Sequence, residues 1–479
     1  MQHPDDTQFE TGVSEEALPL GADEAIDILL TLLSDGLDHP EIWPIMHQFV
    51  DGVPGLITTV QARLAAESQR PARTGLQILL AMCGAVVGSA AEMLALIQPL
   101  AAEHSQSPLV QGAIFYLEGL VDPDNPKYRL QGKMCATPFV QLDVLERSTH
   151  QCCASWLQTS AGDLSVSGDW RDVWNSDNAQ AIRESIFDGS YRYCNKGACP
   201  MIGGNQLVAT ETLAASSDFW ADVIGNRRTA IERGPETVNL AYDRTCNLSC
   251  PSCRTERFAA DDGMRARFDD MQTRAILPML KHAKLVFVTG SGDPFASKNF
   301  RRLFEQLTPE AYPDLKFQIM TNGMLFTPRQ WEQFPNLHGR TAILKISVDA
   351  ATGPTHELLR RGARWPVMLE NLAFAGALTA EGLIDYFELV FTVQRENYRE
   401  MGDAVTLAKQ VGAKGVWFAR ITNWGTFSDE EYRRKAVFLP DHPEHQLFLE
   451  AMQDPRLQDS MVLLGDLTDF VGEPSRLAA

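Results

Sequence analysis

Three cysteines lie within eight residues of one short stretch, CNLSCPSC. They are Cys246, Cys250 and Cys253. A structural zinc site usually has four protein ligands, and the nearest downstream histidine is the distant His282. A four-iron cluster that is bound by three thiolates keeps one iron without a protein ligand. The triplet therefore favours a [4Fe–4S] cluster with a vacant coordination position, as catalysis requires.

The elements around the triplet alternate between strand-like and helical segments. From residue 238 onward six runs are typical of strands, and they read VNLAY, KLVFVTG, KFQIMTNG, AILKISVDA, YFELVFTVQ and GVWFARI. Apolar strands that alternate with helices predict parallel pairing through right-handed crossovers. Six such units fit a partial barrel, which has fewer units than the closed eight-unit form. The triplet follows the first run, at the strand end where such folds bind ligands.

With this context, CNLSCPSC resembles the signature of the radical S-adenosylmethionine (radical SAM) superfamily. That signature has three residues between its first two cysteines and two between the second and third, as here. The resemblance implies an α/β fold with a partial (β/α)6 TIM-like barrel. It also implies that a reduced cluster cleaves S-adenosylmethionine to a 5′-deoxyadenosyl radical, which abstracts a hydrogen atom. One departure is Ser252, where the family often has an aromatic residue near the adenine.

The second strand-like run ends in SGDP, which resembles the family's Gly-Gly-Glu-Pro segment. By this resemblance the segment binds the methionine amino group, and Asp replaces the usual Glu. The resemblance extends to polar residues at the ends of later strands, with Ser347 and Asp349 placed near the ribose. The cofactor-binding residues expected here are Ser291, Gly292, Asp293, Pro294, Asn322, Ser347, Asp349 and Gln394.

Other polar and aromatic residues near these segments have two interpretations. Thr321 and Asn322 could be cofactor contacts or plain polar caps of a strand. Arg360, Arg361 and Asn371 resemble the family's helix pattern and could bind a carboxylate, but a solvated helix face would also contain them. Gln394 and Asn397 could reach the cofactor or the substrate. Trp424 could stack on a planar group or close the barrel.

A second set of cysteines precedes the barrel segment and resembles the auxiliary-cluster region called SPASM. In that family this region usually follows the barrel, so the order here is displaced. Four thiolates would hold one auxiliary [4Fe–4S] cluster, and a structural zinc ion is the alternative. Adjacent residues of a strand point to opposite faces, so we expect one of Cys152 and Cys153 to be a ligand, preferably Cys152. The expected metal ligands of this set are Cys135, Cys152, Cys194 and Cys199.

Composition and charge narrow the function classes. The 479 residues contain 42 Lys and Arg against 62 Asp and Glu, a formal charge of −20. Such a surface repels phosphate backbones and anionic lipid, so we expect neither nucleic acid nor membrane as a partner. The polar, acidic start of the sequence does not resemble a secretory signal, which favours a cytoplasmic protein with reduced cysteines.

Periodicity and turn residues divide the chain into six predicted segments. Apolar residues recur at helical spacing between about residues 22 and 121, and a turn-rich linker follows. The predicted segments are 1–20 as a disordered acidic tail, 21–128 as a helical domain, 129–205 as a SPASM-like module, 206–234 as a helical connector, 235–430 as the radical SAM core, and 431–479 as an extension.

The resemblance favours a radical SAM oxidoreductase that acts on a peptide or protein side chain. An electron donor such as a flavodoxin or ferredoxin is expected as a partner. Two alternatives stay open: the substrate is a carbohydrate or another small metabolite, or the chain is a non-catalytic iron–sulfur protein that binds or senses a partner.

Overall fold

The structure is a computed structural model that describes residues 20–36, 42–103 and 107–470. The predicted tail (1–20) lies almost entirely outside these residues, as do the last nine residues of the predicted extension. The chain forms two compact units. One comprises residues 1–135, 153–159 and 181–229, and the other comprises 136–152, 160–180 and 230–479. We had expected 129–205 as one separate module, whereas its residues are divided between the two units.

The first unit begins with a bundle of helices that bury their apolar faces on one another. Ile26, Leu29, Met82 and Leu117 are among its core residues. Cys83 is also fully buried there, and burial raises its pKa to about 12, which is consistent with a packing role. The helices are α1 (Ala22–Gly36), α2 (Ile42–Gly52), α3 (Leu56–Ala66), α4 (Arg70–Val87), α5 (Ala90–Ile97), α6 (Leu100–Glu103) and α7 (Pro108–Val121).

The remainder of the first unit is built on a small two-stranded sheet. Strand β1 (Lys133–Met134) pairs antiparallel with β4 (Val208–Ala209). The hydroxyl of the buried Tyr191 donates to the carbonyl of Lys133 at 2.9 Å, which fastens the Tyr191 turn to β1. The helices here are α11 (Pro200–Gly203), α12 (Thr210–Ala214), α13 (Asp218–Gly225) and the part of α10 (Asp177–Phe187) from residue 181 onward.

The second unit contains a nine-stranded sheet in the order β11-β10-β9-β8-β7-β6-β5-β2-β3. All six strands that the sequence predicted are present and parallel to their neighbours. The prediction of an α/β fold with a partial TIM-like barrel is therefore confirmed. The six strands are β5 (Thr237–Leu240), β6 (Leu285–Val288), β7 (Lys316–Thr321), β8 (Thr341–Ser347), β9 (Ile384–Val393) and β10 (Gly415–Arg420).

Three further strands extend this sheet at its two edges. Strand β2 (Gln141–Val144) pairs parallel with β5 and antiparallel with β3 (Thr149–His150). Strand β11 (Val462–Leu463) pairs parallel with β10. The β2–β3 hairpin precedes the cysteine pair and joins the barrel sheet, a pairing that no local pattern of the sequence predicted.

Helices cover the sheet of the second unit and bury large aromatic side chains. On α16, Phe300, Leu303 and Phe304 lie at helical spacing and are fully buried, and such side chains stabilise a fold by about 1.5–3 kcal/mol each. A π-helical segment, Gln272–Ile276, joins α14 to α15. The helices are α8 (Thr137–Val140), α9 (Trp170–Trp174), α14 (Asp262–Met271), α15 (Leu277–Leu280), α16 (Lys298–Gln306), α17 (Pro328–Trp331), α18 (Gly353–Leu359), α19 (Trp365–Ala380), α20 (Met401–Gln410), α21 (Asp429–Lys435) and α22 (His445–Ala451).

A helix that crosses a bilayer needs about 20 consecutive, predominantly apolar residues. Among residues 20–36, 42–103 and 107–470, no helix combines the length and the apolar character needed to cross a membrane.

Candidate cofactor and cluster sites

The three cysteines of CNLSCPSC lie on the loop that follows β5. Cys250 is buried, Cys246 is half-buried and Cys253 is exposed. The amide of Cys253 donates to the carbonyl of Cys250 at 2.9 Å, so a turn separates these two thiols. Burial raises the pKa of Cys246 and of Cys250. The thiols stand at the carboxyl end of a central barrel strand, as the sequence predicted.

Asn322, at the end of β7, contacts the loop that carries the three cysteines. Its side-chain amide donates to the Asn247 oxygen at 2.8 Å and to the Cys246 sulfur at 3.5 Å. Asn322 therefore contacts the three-cysteine loop directly. This contact supports a functional role over a plain strand cap, and the cofactor contact itself stays a prediction.

The SGDP segment follows β6 and packs closely on the loop after β5. A Cβ atom on Gly292 would lie 2.6 Å from the Thr245 carbonyl oxygen and 2.7 Å from that of Asp243. The amide of Asp293 donates to the same Thr245 carbonyl at 2.8 Å. Only glycine permits this approach, because both neighbouring atoms belong to the backbone.

Asp293 is fully buried, and protein donors surround its carboxylate. It accepts hydrogen bonds from the Thr321 hydroxyl at 2.6 Å and from the Asn322 amide at 2.9 Å. Two backbone amides of its own loop also donate to it. Burial raises its pKa, although these hydrogen bonds oppose the shift. The carboxylate thus connects the loop after β6 to the end of β7, and its predicted contact with the methionine amino group stays a prediction.

Asp349 and Arg360 form a buried ion pair beside Cys250. The Arg360 Nη2 atom lies 2.8 Å from Asp349 Oδ2, and the Arg360 charge lowers the pKa of the Cys250 thiol against the larger effect of burial. Burial lowers the Arg360 pKa, but Asp349 and the thiols outweigh this effect and raise it above its usual value. The buried Nε atom of Arg360 has no hydrogen-bond partner. Asp349 has a positive φ of 56°, which costs free energy in a non-glycine residue.

The other predicted residues lie at different places in the second unit. Ser347 and Gln394 are buried at the ends of β8 and β9. Asn371 donates to the Gly323 carbonyl at 2.7 Å, and Arg361 donates to Ser249. Trp424 is 65% exposed, so it does not fill the barrel core. Pro294 is buried in the SGDP loop, and the cofactor contacts of all these residues remain predictions.

A family comparison matches the region that contains these residues. Residues 243–411 match the model of the radical SAM superfamily. The match begins three residues before Cys246 and spans the segments that follow β5 to β9. The chain carries a radical SAM domain. This domain is typical of iron–sulfur enzymes. The resemblance seen in CNLSCPSC is therefore confirmed.

Several solved structures resemble the chain at low sequence identity. No curated protein matches the chain. Streptococcus suis SuiB bound to S-adenosylmethionine is 13% identical, with a TM-score of 0.35 and 61% of this chain and 62% of SuiB covered. SuiB bound to its precursor peptide SuiA is 14% identical, with a TM-score of 0.30 and coverages of 53% and 55%. AnSMEcpe with bound AdoMet and the Kp18Cys peptide is 17% identical, with a TM-score of 0.30 and coverages of 42% and 58%. The chain spans less than two thirds of each of these proteins.

The residues of the radical SAM domain fit the cluster and cofactor that the superfamily uses. Three thiols are available on one loop, and the Arg360 guanidinium next to Cys250 has an unsatisfied buried Nε. Gly292 has no side chain and lets the SGDP loop approach the backbone of the cysteine loop. Cys246, Cys250 and Cys253 would hold the cluster, and the SGDP and Arg360 segments would hold the cofactor beside it.

The second set of cysteines is divided between the two units. Cys135, Cys153, Cys194 and Cys199 belong to the first unit, whereas Cys152 belongs to the second. Within the first unit, Cys153 interacts electrostatically with Cys199.

Tyr191 is close enough to three of these thiols to interact with them electrostatically. Burial and the neighbouring Cys135, Cys194 and Cys199 raise its pKa. The pair Cys152 and Cys153 does not lie on a strand, because β3 ends at His150, two residues before Cys152. The alternation rule therefore does not apply to it, and the choice of Cys152 or Cys153 as a ligand stays a prediction.

A single metal ion and a cluster require different spacing of their ligands. Across residues 20–36, 42–103 and 107–470, no three His, Cys, Asp or Glu side chains form a group that could hold one metal ion. In a four-iron cluster each cysteine binds a different iron. The sulfur atoms of such a set therefore lie farther apart than the ligands of one ion.

The sequence did not predict a role for Arg254, which follows the third cysteine of the triplet. Arg254 is buried and its Nη2 atom donates to the Cys253 sulfur at 3.4 Å. Its position directly after the third cysteine was the available signal, but a charged residue in a loop is usually solvated.

Proposed function

We propose that this protein is a radical SAM oxidoreductase that modifies a peptide or protein side chain. The observation that carries the proposal is the three-cysteine loop at the end of β5, which is packed against the SGDP loop inside a radical SAM domain. When reduced by one electron, a [4Fe–4S] cluster with bound S-adenosylmethionine supplies methionine and a 5′-deoxyadenosyl radical, which takes one hydrogen atom from the substrate.

The residues of the chain bind and orient the reactants in this proposal. Cys246, Cys250 and Cys253 hold the cluster and leave one coordination position for the cofactor. The Ser291 to Pro294 segment binds the methionine amino group, and Ser347, Asp349 and Gln394 face the rest of the cofactor. Hydrogen-bonded, buried surroundings of this kind keep water from a reactive intermediate.

Arg360 has a specific role in this arrangement. Its guanidinium pairs with Asp349, and its positive charge lowers the pKa of the Cys250 thiol against the larger effect of burial. A buried positive charge offsets the negative charge of the thiolates and can also pair with a carboxylate. We propose that Arg360 offsets the negative charge of the cluster thiolates at the cofactor site.

We also propose an auxiliary [4Fe–4S] cluster in the first unit, bound by Cys135, Cys153, Cys194 and Cys199. The support is the grouping of these thiols around Tyr191 and Cys199. The buried Lys196 donates to the Tyr191 carbonyl at 2.9 Å and lowers the pKa of Cys199 against the larger effect of burial. A buried cation is costly unless anions are close, and ionised thiols are such anions. A cluster with four cysteine ligands suits electron transfer.

The proposal also includes a substrate class, an electron donor and a location in the cell. A peptide or protein substrate is preferred because the second cysteine set resembles the SPASM region, and a carbohydrate or other small metabolite is the alternative substrate. The electron donor is a small redox protein such as a flavodoxin or ferredoxin, and the protein is cytoplasmic.

The test is anaerobic cleavage of S-adenosylmethionine. The full chain is reconstituted with iron and sulfide, reduced, and mixed with S-adenosylmethionine, and 5′-deoxyadenosine is measured by mass spectrometry. Cys250→Ala should reduce the product to background. Cys83→Ala is the matched control, because it removes a buried cysteine of α4 in the other unit and should leave the product unchanged. Equal product from Cys250→Ala would contradict the proposal, and partner binding without product would favour the sensing protein.

A further inference from the structure

Arg254 connects the two loops that bind the cluster and the cofactor. Its Nη1 atom donates to the Arg244 carbonyl at 2.7 Å, in the loop after β5. Its Nη2 atom donates to the Ser291 carbonyl at 2.5 Å, in the loop after β6. The same Nη2 lies 3.4 Å from the Cys253 sulfur. One guanidinium thus contacts the third cysteine and the first residue of the SGDP segment.

The burial of Arg254 requires nearby negative charge. Its exposed fraction is 8%, and taking a guanidinium out of water costs free energy unless anions or acceptors surround it. Two backbone carbonyls and one sulfur are its acceptors. The arginine therefore suits a site whose three sulfurs are ionised by bound iron.

A fixed positive charge next to a cluster affects its redox chemistry. The reduced form of a cluster carries one more negative charge than the oxidised form, so a nearby cation stabilises the reduced form more. Hydrogen bonds to the cysteine sulfurs act in the same direction. Arg254 supplies both effects to the sulfur of Cys253, which is otherwise the most exposed of the three.

We propose that Arg254 is a positioning residue that raises the reduction potential of the three-cysteine cluster and holds Ser291 beside it. This inference rests on the proposed function. The two effects separate by chemistry, because a lysine keeps the charge but lacks the planar fork that reaches two carbonyls. Charge should thus govern the potential, and the fork should govern cofactor binding.

The test uses the full chain after anaerobic reconstitution, with Arg254→Met, Arg254→Lys and the matched control Arg257→Met. Arg257 is an exposed arginine of the same loop. Iron content is measured first, and the midpoint potential is then determined by a redox titration followed by electron paramagnetic resonance. The catalytic signal is identified by its change when S-adenosylmethionine is added, and titration of that change gives the affinity for the cofactor.

We expect Arg254→Met to shift the midpoint potential to more negative values and to weaken cofactor binding. Arg254→Lys should keep most of the potential but bind the cofactor less tightly, and Arg257→Met should match the wild type. Wild-type potential and wild-type affinity in Arg254→Met, at full iron content, would overturn the inference. If Arg254→Met holds no cluster, Arg254→Lys decides: weaker cofactor binding supports the inference, and wild-type values for both quantities overturn it.

The outcome is distinguishable from failure of the proposed function. A wild-type chain that cleaves S-adenosylmethionine, together with an Arg254→Met chain of unchanged potential and affinity, removes only the role of Arg254. A wild-type chain whose cluster signal does not respond to S-adenosylmethionine removes the proposed function itself.

Discussion

At the scale of single residues, the buried carboxylates of the radical SAM domain have structural partners. Asp293 stands where the family usually has Glu, and the four hydrogen bonds to its carboxylate come from its own loop and from the end of β7. Asp349 accepts from the Thr392 amide at 2.8 Å and pairs with Arg360. These side chains therefore position the strand ends as well as any ligand that binds there.

Replacing Asp293 by Ala should destabilise the second unit and weaken cofactor binding. Each buried donor that loses its acceptor costs about 1–3 kcal/mol, and the Thr321 hydroxyl and the Asn322 amide would lose theirs. Urea unfolding followed by circular dichroism measures the stability, with Asp314→Ala as the control because Asp314 is an exposed aspartate of the same unit. Equal unfolding midpoints for the two variants would show that the Asp293 carboxylate has no structural role.

The choice between two adjacent cysteines is a second prediction at this scale. Cys153→Ala should lower the iron content by the equivalent of the auxiliary cluster and leave the response of the catalytic cluster to S-adenosylmethionine intact. Cys152→Ala should keep the full iron content, because the proposed ligand set contains Cys153 and not Cys152. Iron and sulfide analysis with Mössbauer spectroscopy measures both variants. The opposite pattern would restore Cys152 as the ligand, and zinc in place of iron would support a structural zinc site.

At the scale of elements, the loops after β5 and β6 pack closely on each other and are joined by hydrogen bonds. Gly292 allows the second loop to approach the backbone of the first, and Arg254 bridges them by hydrogen bonds. The hydrogen bond from the Asp293 amide to Thr245 completes the contact. The cofactor site thus depends on a backbone approach that no larger residue permits.

Gly292→Ala should abolish cofactor binding while the chain still folds. The added methyl group would lie 2.6 Å from a backbone carbonyl oxygen, so one loop would have to move away from the other. Gly290→Ala is the matched control, because a Cβ atom there meets no atom within 4 Å. Binding of S-adenosylmethionine is measured by isothermal titration calorimetry under anaerobic conditions. Wild-type affinity in Gly292→Ala would show that the loops do not need this approach.

At the scale of the whole molecule, the chain does not complete one unit before it begins the other. Residues 153–159 and 181–229 belong to the first unit, but residues 136–152 and 160–180 between them belong to the second. The β2–β3 hairpin covers the edge of β5 and therefore completes the barrel sheet. The cysteine-containing segment that precedes the barrel thus contributes strands to the barrel sheet.

A chain that begins at residue 230 should be poorly soluble, although it contains all six barrel strands. Without β2, the edge of β5 would present unpaired backbone groups next to the buried Val238 and Leu240, and such edges promote aggregation. The fraction recovered in the soluble extract and size-exclusion chromatography measure this, with the full chain as the control. A monomeric, soluble product would show that the hairpin is not needed to cover β5.

The sequence by itself determined the strands of the barrel and the chemistry at the end of the first of them. Alternating apolar runs and the spacing of Cys246, Cys250 and Cys253 are local patterns, and local patterns are read directly along a chain. Only the tertiary structure decided that β2 pairs with β5, that Gly292 approaches Thr245 and that Arg254 contacts Ser291. These relations join residues that are far apart in sequence. Strand pairing, burial and the close approach of two loops determine them, and no local pattern encodes these.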